Sequence, residues 1–119
     1  MINQGTALLA LPFAPANVTI ADVFHGRVIA TLADIAAVCA AITLTDAATL
    51  SGGATSSMAI SYLRAANGVD LKARAQILRA SRRQIVCQVT IGEAEAKSIA
   101  EALVTGALFS SYKSATDSI

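Results

Sequence analysis

The chain has 119 residues, with nine basic against eight acidic side chains and a formal net charge of +1. This length predicts a single domain over residues 1–119, with a polar, loose tail at about 111–119. Because the charges nearly balance, the chain lacks the basic excess that is typical of general nucleic-acid binders. The content of 55% hydrophobic and 4% aromatic residues predicts a core of Ala, Val, Ile and Leu.

The first predicted element is a short apolar strand over residues 6–13, which is interrupted by Pro12 and followed by Pro15. The residues before it carry no basic leader and do not resemble a signal peptide, so a cytoplasmic protein is expected. Cys39 and Cys87 are the only cysteines, and both are expected to be reduced, buried side chains.

A long helix is predicted from Gly26 to about Leu44, because this run is rich in Ala and Leu and contains no Pro and no further Gly. At the usual helical rise it would be about 25 Å long. It is apolar on nearly all sides, so we expect it to be enclosed. Residues 28–45 approach the length of a membrane span, but Asp34 would then lie near the centre of the bilayer, so no membrane partner is expected.

Asp34 is the first candidate functional residue, because it is the single ionisable side chain of this apolar run. A carboxylate in such surroundings is costly to desolvate unless it is paired, hydrogen-bonded or used in chemistry. The alternative is a hydrogen-bonded acid sealed in the core.

Four further segments predict strands, and the sequence Ser-Gly-Gly at residues 51–53 separates them from the helix. In the first, Met58, Ile60 and Tyr62 share one face, and Asn67-Gly68 predicts a hairpin to the next strand. The inward positions of that strand are Val69, Leu71, Ala73, Ala75 and Ile77. After a polar turn at residues 81–83, the inward positions are Ile85, Cys87, Val89 and Ile91, and a last strand begins at about Ser98.

This order of elements predicts an α+β domain in which an antiparallel β-sheet is wrapped around a long central α-helix. One flat sheet does not cover a helix that is apolar on most faces, so a second subunit is expected to help.

Two motifs resemble a known family. The sequence HGRVIATLADIAA begins at His25, and SYLRAANG begins at Ser61. Together they are similar to the hotdog-fold acyl-CoA thioesterases of the PaaI-like, phenylacetate-pathway type. Those proteins carry a His-Gly-Gly loop, an Ala-Asp or Ala-Glu pair nine residues past the His, and a strand ending in Tyr-Leu-Arg-Pro-Ala. The similarity extends from about Ala7 to Phe109.

The resemblance implies a hotdog fold and hydrolysis of an acyl-CoA substrate without a metal or any other cofactor, in a homodimer or a homotetramer made of two dimers. Asp34 would be the general base or nucleophile, and the backbone of His25 and Gly26 would polarise the thioester carbonyl. Thr55 of the neighbouring subunit would position water. The expected substrate-binding residues are Arg27, Ser56, Ser57, Arg82 and Arg83, of which the last two would lie near the CoA phosphates unless they form an ordinary solvated turn.

The chain departs from the family at Arg27, which replaces the second glycine of the loop, and at Ala65-Ala66, which lacks the usual proline. The resemblance also leads us to expect that the extra N-terminal helix of many relatives is missing. These departures motivate the alternative of a non-catalytic acyl-CoA-binding hotdog domain. A hotdog dehydratase is disfavoured, because Pro12 and Pro15 lie too far upstream to form its loop.

Overall fold

A computed structural model of the chain describes residues 2–11, 26–45, 50–66, 70–81, 84–93 and 98–110. These residues form one helix and six strands. Their order is β1 (Ile2–Asn3), β2 (Thr6–Leu11), α1 (Gly26–Ile42), β3 (Leu50–Tyr62), β4 (Leu71–Ala80), β5 (Ile85–Glu93) and β6 (Ser98–Ser110). No helix in these ranges is long and apolar enough to span a bilayer. The predicted helix and strands are confirmed, whereas β1 was not predicted.

The strands form one antiparallel sheet with the order β1-β2-β4-β5-β6-β3. The predicted hairpin between β3 and β4 is therefore wrong, because β5 and β6 lie between these strands; the turn at Asn67-Gly68 is itself outside the described residues. An Asn-Gly pair favours a turn locally, but the core decides which strands become neighbours. Leu71, Ala73 and Ala75 of β4 are fully buried and need apolar strands on both sides, whereas β3 is mostly exposed and suits the sheet edge.

The helix packs across the inner face of the sheet, mainly against β4, β5 and β2. Its contact stripe consists of Ala33, Ala36, Ala37 and Ala40, which are all buried. Methyl groups allow the helix backbone to approach the strands closely, and interiors at this density leave little free space. The predicted core of small and branched aliphatic side chains is confirmed.

Hydrogen bonds tie both ends of α1 to the sheet. The hydroxyl of Tyr62, at the end of β3, donates to the carbonyl oxygen of Gly26 over 2.9 Å. At the other end, Thr43 Oγ1 donates to the carbonyl oxygen of Ala40 and accepts from the N–H of Gly5, each over 2.6 Å. Gly5 has φ of 78°, which glycine adopts without a steric penalty, and its carbonyl oxygen accepts from Ile77 N–H at 2.8 Å. The β1–β2 turn thus links the end of the helix to β4.

Candidate functional site

A cleft of about 440 Å³ lies between α1 and the strands β3, β5 and β6. We call it the cleft throughout. The helix lines it with Asp34, Ala37, Val38, Ala41 and Ile42, and the strands line it with Leu50, residues 52–55, Ile85, Cys87, Val104 and residues 106–108. Its polar side chains are those of Asp34, Thr55 and Cys87, and the rest are apolar. An apolar concavity with a few polar groups is the usual form of a small-molecule site.

The carboxylate of Asp34 is hydrogen-bonded inside this cleft. Thr55 Oγ1 donates to Asp34 Oδ1 over 2.7 Å, and no described residue donates to Oδ2. Asp34 is partly exposed and lines the cleft, so it is not an acid sealed in the core. The arrangement leaves one carboxylate oxygen available to a water molecule or a ligand in the cleft.

A β-bulge turns Thr55 toward the helix. Met58 and Ile60 pack against the core, and a regular two-residue alternation would then point Ser56 inward and Thr55 outward. Thr55 pairs with Gly106 and Ser57 pairs with Thr105, so Ser56 is an extra residue on β3. One extra residue reverses the alternation, and bulges commonly re-aim side chains beside functional sites.

Glycines let β6 approach β3 closely at this bulge. A Cβ atom on Gly106 would lie 2.6 Å from the carbonyl oxygen of Ala54 and 3.2 Å from Cα of Thr55. A Cβ on Gly53 would lie 3.0 Å from the carbonyl oxygen of Ala107 and 2.7 Å from a methyl carbon of Leu108. Gly106 therefore helps to position Thr55, a role that no motif in the sequence indicated.

Thr55 and Asp34 contact each other within one chain. The expectation that a neighbouring subunit supplies the hydroxyl stays a prediction. The chain reverses direction between the end of α1 and the start of β3. Consequently β3 runs back along the helix, and its residue 55 meets residue 34 of the same chain.

Gly26 and Arg27 lie at the start of α1, away from the cleft. Gly26 is the first residue of α1, and both residues are exposed and absent from the cleft lining. The first N–H groups of a helix have no intrahelical acceptor and carry partial positive charge. Gly26 and Asp34 are eight residues apart, which is about 12 Å along the helix axis.

The other predicted site residues are not gathered at the cleft. Ser56 and Ser57 are exposed and do not line it, and Ser56 Oγ donates to the carbonyl oxygen of Thr105 over 3.1 Å. His25, Arg82 and Arg83 lie outside the described residues, so their roles stay predictions. Among the residues that are described, no three His, Cys, Asp or Glu side chains are grouped to hold a metal ion.

The thiol of Cys87 is the third polar group of the cleft. Burial raises the pKa of this thiol above its ordinary value of 9.0, and a backbone hydrogen bond from Gln76 opposes the shift only in part. A neutral thiol is a poor nucleophile, because the thiolate is the reactive form. Cys87 therefore lines the cleft as a neutral, weakly polar thiol. It is buried, as the sequence predicted, whereas Cys39 is only partly buried, and both cysteines are unpaired.

Comparison with known proteins identifies the family. The model of the thioesterase superfamily matches residues 21–99, more than half of the chain, so the chain belongs to this superfamily. A search of curated proteins finds no match. The predicted family is therefore confirmed.

Solved structures similar to this chain share its fold. A mutant of the phenylacetic acid degradation protein PaaI from Thermus thermophilus is 24% identical, with a TM-score of 0.78, and the match covers 89% of this chain and 87% of that one. A Streptococcus mutans protein bound to acetyl-CoA is 19% identical, with a TM-score of 0.82 and coverage of 95% and 88%. A thioesterase from Haemophilus influenzae is 18% identical, with a TM-score of 0.85 and coverage of 95% and 78%. The predicted hotdog fold is confirmed.

Proposed function

We propose that this protein hydrolyses an acyl-CoA thioester and that Asp34 is its catalytic carboxylate. The observation that carries the proposal is the position of Asp34 at one end of an apolar cleft, with Thr55 bonded to Oδ1. The binding of acetyl-CoA by a protein of the same fold supports CoA thioesters as the substrate class.

In the reaction, Asp34 accepts a proton from a water molecule while the water oxygen attacks the thioester carbonyl carbon. The tetrahedral intermediate then releases the CoA sulfur, which takes up the proton, and the free acid remains. Attack by Asp34 itself, through a mixed anhydride that water later opens, uses the same placement. A positioned base typically contributes about 10²-fold to 10⁴-fold in rate.

The negative charge on the carbonyl oxygen requires a donor, and the backbone N–H of Gly26 suits this role. The separation of about 12 Å along α1 prevents Gly26 and Asp34 of one chain from contacting the same carbonyl group. We therefore assign the donating Gly26 to a second protomer, whose helix begins beside the Asp34 of the first. The exchange of roles differs from the sequence expectation, in which Thr55 crossed the interface.

A second copy of the chain is thus part of the proposed site. Within the described residues β3 pairs only with β6, so its other edge offers unpaired backbone groups along 13 residues. Such an edge is a ready template for pairing with another strand. We propose a homodimer that forms at this edge. The alternative is a homotetramer made of two such dimers.

The two unpaired cysteines support a reducing compartment, and we propose the cytoplasm.

We also propose that Arg82 and Arg83 bind the phosphates of CoA, since guanidinium groups suit phosphate.

The test is release of free CoA thiol from a panel of acyl-CoAs, with the mass of the protein in solution measured alongside. Asp34→Asn keeps the size of the side chain and removes the base, so turnover should be lost while the circular dichroism spectrum is unchanged. Glu93→Gln, which changes a carboxylate outside the cleft, is the matched control. Unchanged hydrolysis by Asp34→Asn contradicts the mechanism, and tight binding of acyl-CoA without turnover by the wild type selects the non-catalytic alternative.

A further inference from the structure

We infer that the cleft takes a linear, unsubstituted aliphatic acyl chain of medium length, about eight to ten carbons, and that Ala41 and Ile42 set this limit. The inference rests on the proposed function in one respect: the thioester carbonyl lies at Asp34. The length and the polarity of the cleft then specify the acyl group.

Apart from the neutral thiol of Cys87, the polar side chains of the cleft lie at one end. Asp34 and Thr55 are held together by their hydrogen bond, and from there the helix continues along the cleft with Ala37, Val38, Ala41 and Ile42. No described side chain of the far half carries a donor or acceptor. A hydroxylated or charged acyl group would lose its hydrogen bonds to water there without replacement, which is costly.

Two walls give the length of the cleft independently. Along the helix, Ile42 follows Asp34 by eight residues, a rise of about 12 Å. Along β3, Leu50 and Thr55 pair with Ser110 and Gly106, which lie four residues apart on β6 and span about 13 Å in an extended strand. The two walls run in opposite chain directions from the same hydrogen-bonded pair, so both lead from the polar end to the same far end.

This length corresponds to a medium acyl chain. Ordinary carbon–carbon bond lengths and angles give about 1.25 Å per carbon in an extended chain, so about 12 Å holds nine or ten carbons. The side chains at the far end, Ile42, Leu50 and Leu108, are branched aliphatics, and none of the described residues that line the cleft is aromatic. A single aromatic ring would occupy only the half of the cleft nearest Asp34.

The position of Ala41 makes it the residue that sets the width of the far half. Ala41 is 7% exposed and lines the cleft between Val38 and Ile42, so added carbons on its side chain would extend into the space for the chain. Ile42 is 37% exposed and lines the far end of the cleft, so its truncation would lengthen the apolar space there. Ile35 is 50% exposed on the same helix and does not line the cleft, which makes it a matched control.

The test uses S-alkyl-CoA thioethers with 2 to about 14 carbons, which contain no cleavable bond, and measures their dissociation constants by calorimetry. Burial of each methylene should tighten binding about fourfold until the cleft is full, and affinity should then be constant beyond about eight to ten carbons. We call the chain length at which affinity stops rising the break. In Ala41→Leu the break should move about two to three carbons shorter. In Ile42→Ala it should move about two carbons longer, and in Ile35→Ala it should not move.

Ile42→Ala removes atoms at a half-open position and serves if Ala41→Leu fails to fold. The inference is overturned if affinity does not depend on chain length, if the break is the same in the folded variants, or if a phenylacetyl-sized thioether binds more tightly than the octyl one. A break near eight to ten carbons that moves as described supports it. Hydrolysis of the matching thioesters is measured separately: absence of turnover with a clear break contradicts the proposed function and leaves the inference standing.

Discussion

Thr55 on the edge strand β3 donates a hydrogen bond of 2.7 Å to Asp34 on the central helix, so an exposed strand and a helix that is buried along one face meet at one carboxylate. The contact orients the carboxylate, because one of its two oxygens is held by the sheet. Its contribution is measurable, since the hydroxyl can be removed without changing the shape of the side chain.

Thr55→Val should lower kcat for thioester hydrolysis by about 10-fold to 100-fold, because a hydrogen bond to a charged group is worth about 1.5–3 kcal/mol. KM should change little, since Thr55 acts on the carboxylate. Steady-state kinetics with one acyl-CoA measures both constants. Thr55→Ser keeps the hydroxyl and should retain most of the activity; equal losses in the two variants would contradict the role of the hydrogen bond.

Gly106→Ala should displace Thr55 and lower activity, because the new Cβ would lie 2.6 Å from the carbonyl oxygen of Ala54. Overpacking of this kind costs about 1–3 kcal/mol of unfolding free energy. Chemical denaturation measures the stability, and kcat reports on Thr55. Leu103→Ala, on the exposed face of the same strand, is the control. A Gly106→Ala protein with the activity of the wild type would remove the positioning role of this glycine.

Tyr62→Phe removes the hydroxyl that donates to the carbonyl oxygen of Gly26 at the start of α1. We expect the unfolding free energy to fall by about 0.5–1.5 kcal/mol, the usual net value of one hydrogen bond. If the N–H of Gly26 serves the thioester carbonyl, kcat should fall as well, because the start of the helix is less firmly held. Tyr62→Leu separates the contribution of the ring from that of the hydroxyl, and an unchanged unfolding midpoint in Tyr62→Phe would show that the bond contributes nothing.

Cys87 should make the folded state less stable at high pH. Burial raises the pKa of its thiol in the folded protein, so the unfolded chain loses its proton first as the pH rises. The contribution is complete below pH 9.0, the ordinary value for the thiol, and is lost as the pH rises from there through the higher folded pKa. Urea denaturation from pH 7 to 10.5 should show a steeper decline for the wild type than for Cys87→Ala; parallel curves would contradict this origin.

The alternating strands and the apolar helix could be predicted because their patterns are local. Leu71, Ala73 and Ala75 lie where the two-residue repeat places them, and α1 ends within two residues of the expected position. Asp34, which lines the cleft, could be selected as a candidate from its isolation in an apolar run. The neighbours of β3 could not, because the Asn-Gly turn carries no information about which strand completes the core.

The orientation of Thr55 depends on register, which is why its contact within the same chain was not predicted. The extra residue at Ser56 has no sequence signature of its own, and it reverses the direction of the side chains before it. Gly106 is recognised only when its partner on β3 is known. The length of the cleft follows from the antiparallel directions of α1 and β3. No single segment of the sequence indicates it.

The alanines beneath α1 have a consequence for how this protein can diversify. Ala33, Ala36 and Ala40 are fully buried, so any larger side chain there would lift the helix from the strands and carry the carboxylate away from its hydroxyl partner. If the proposed function holds, new substrate preferences arise from the opposite face of the helix, where side chains can change in size while Asp34 and Thr55 keep their spacing. The buried alanines hold α1 at a fixed distance from the sheet, so substitutions are tolerated mainly on the exposed face of the helix.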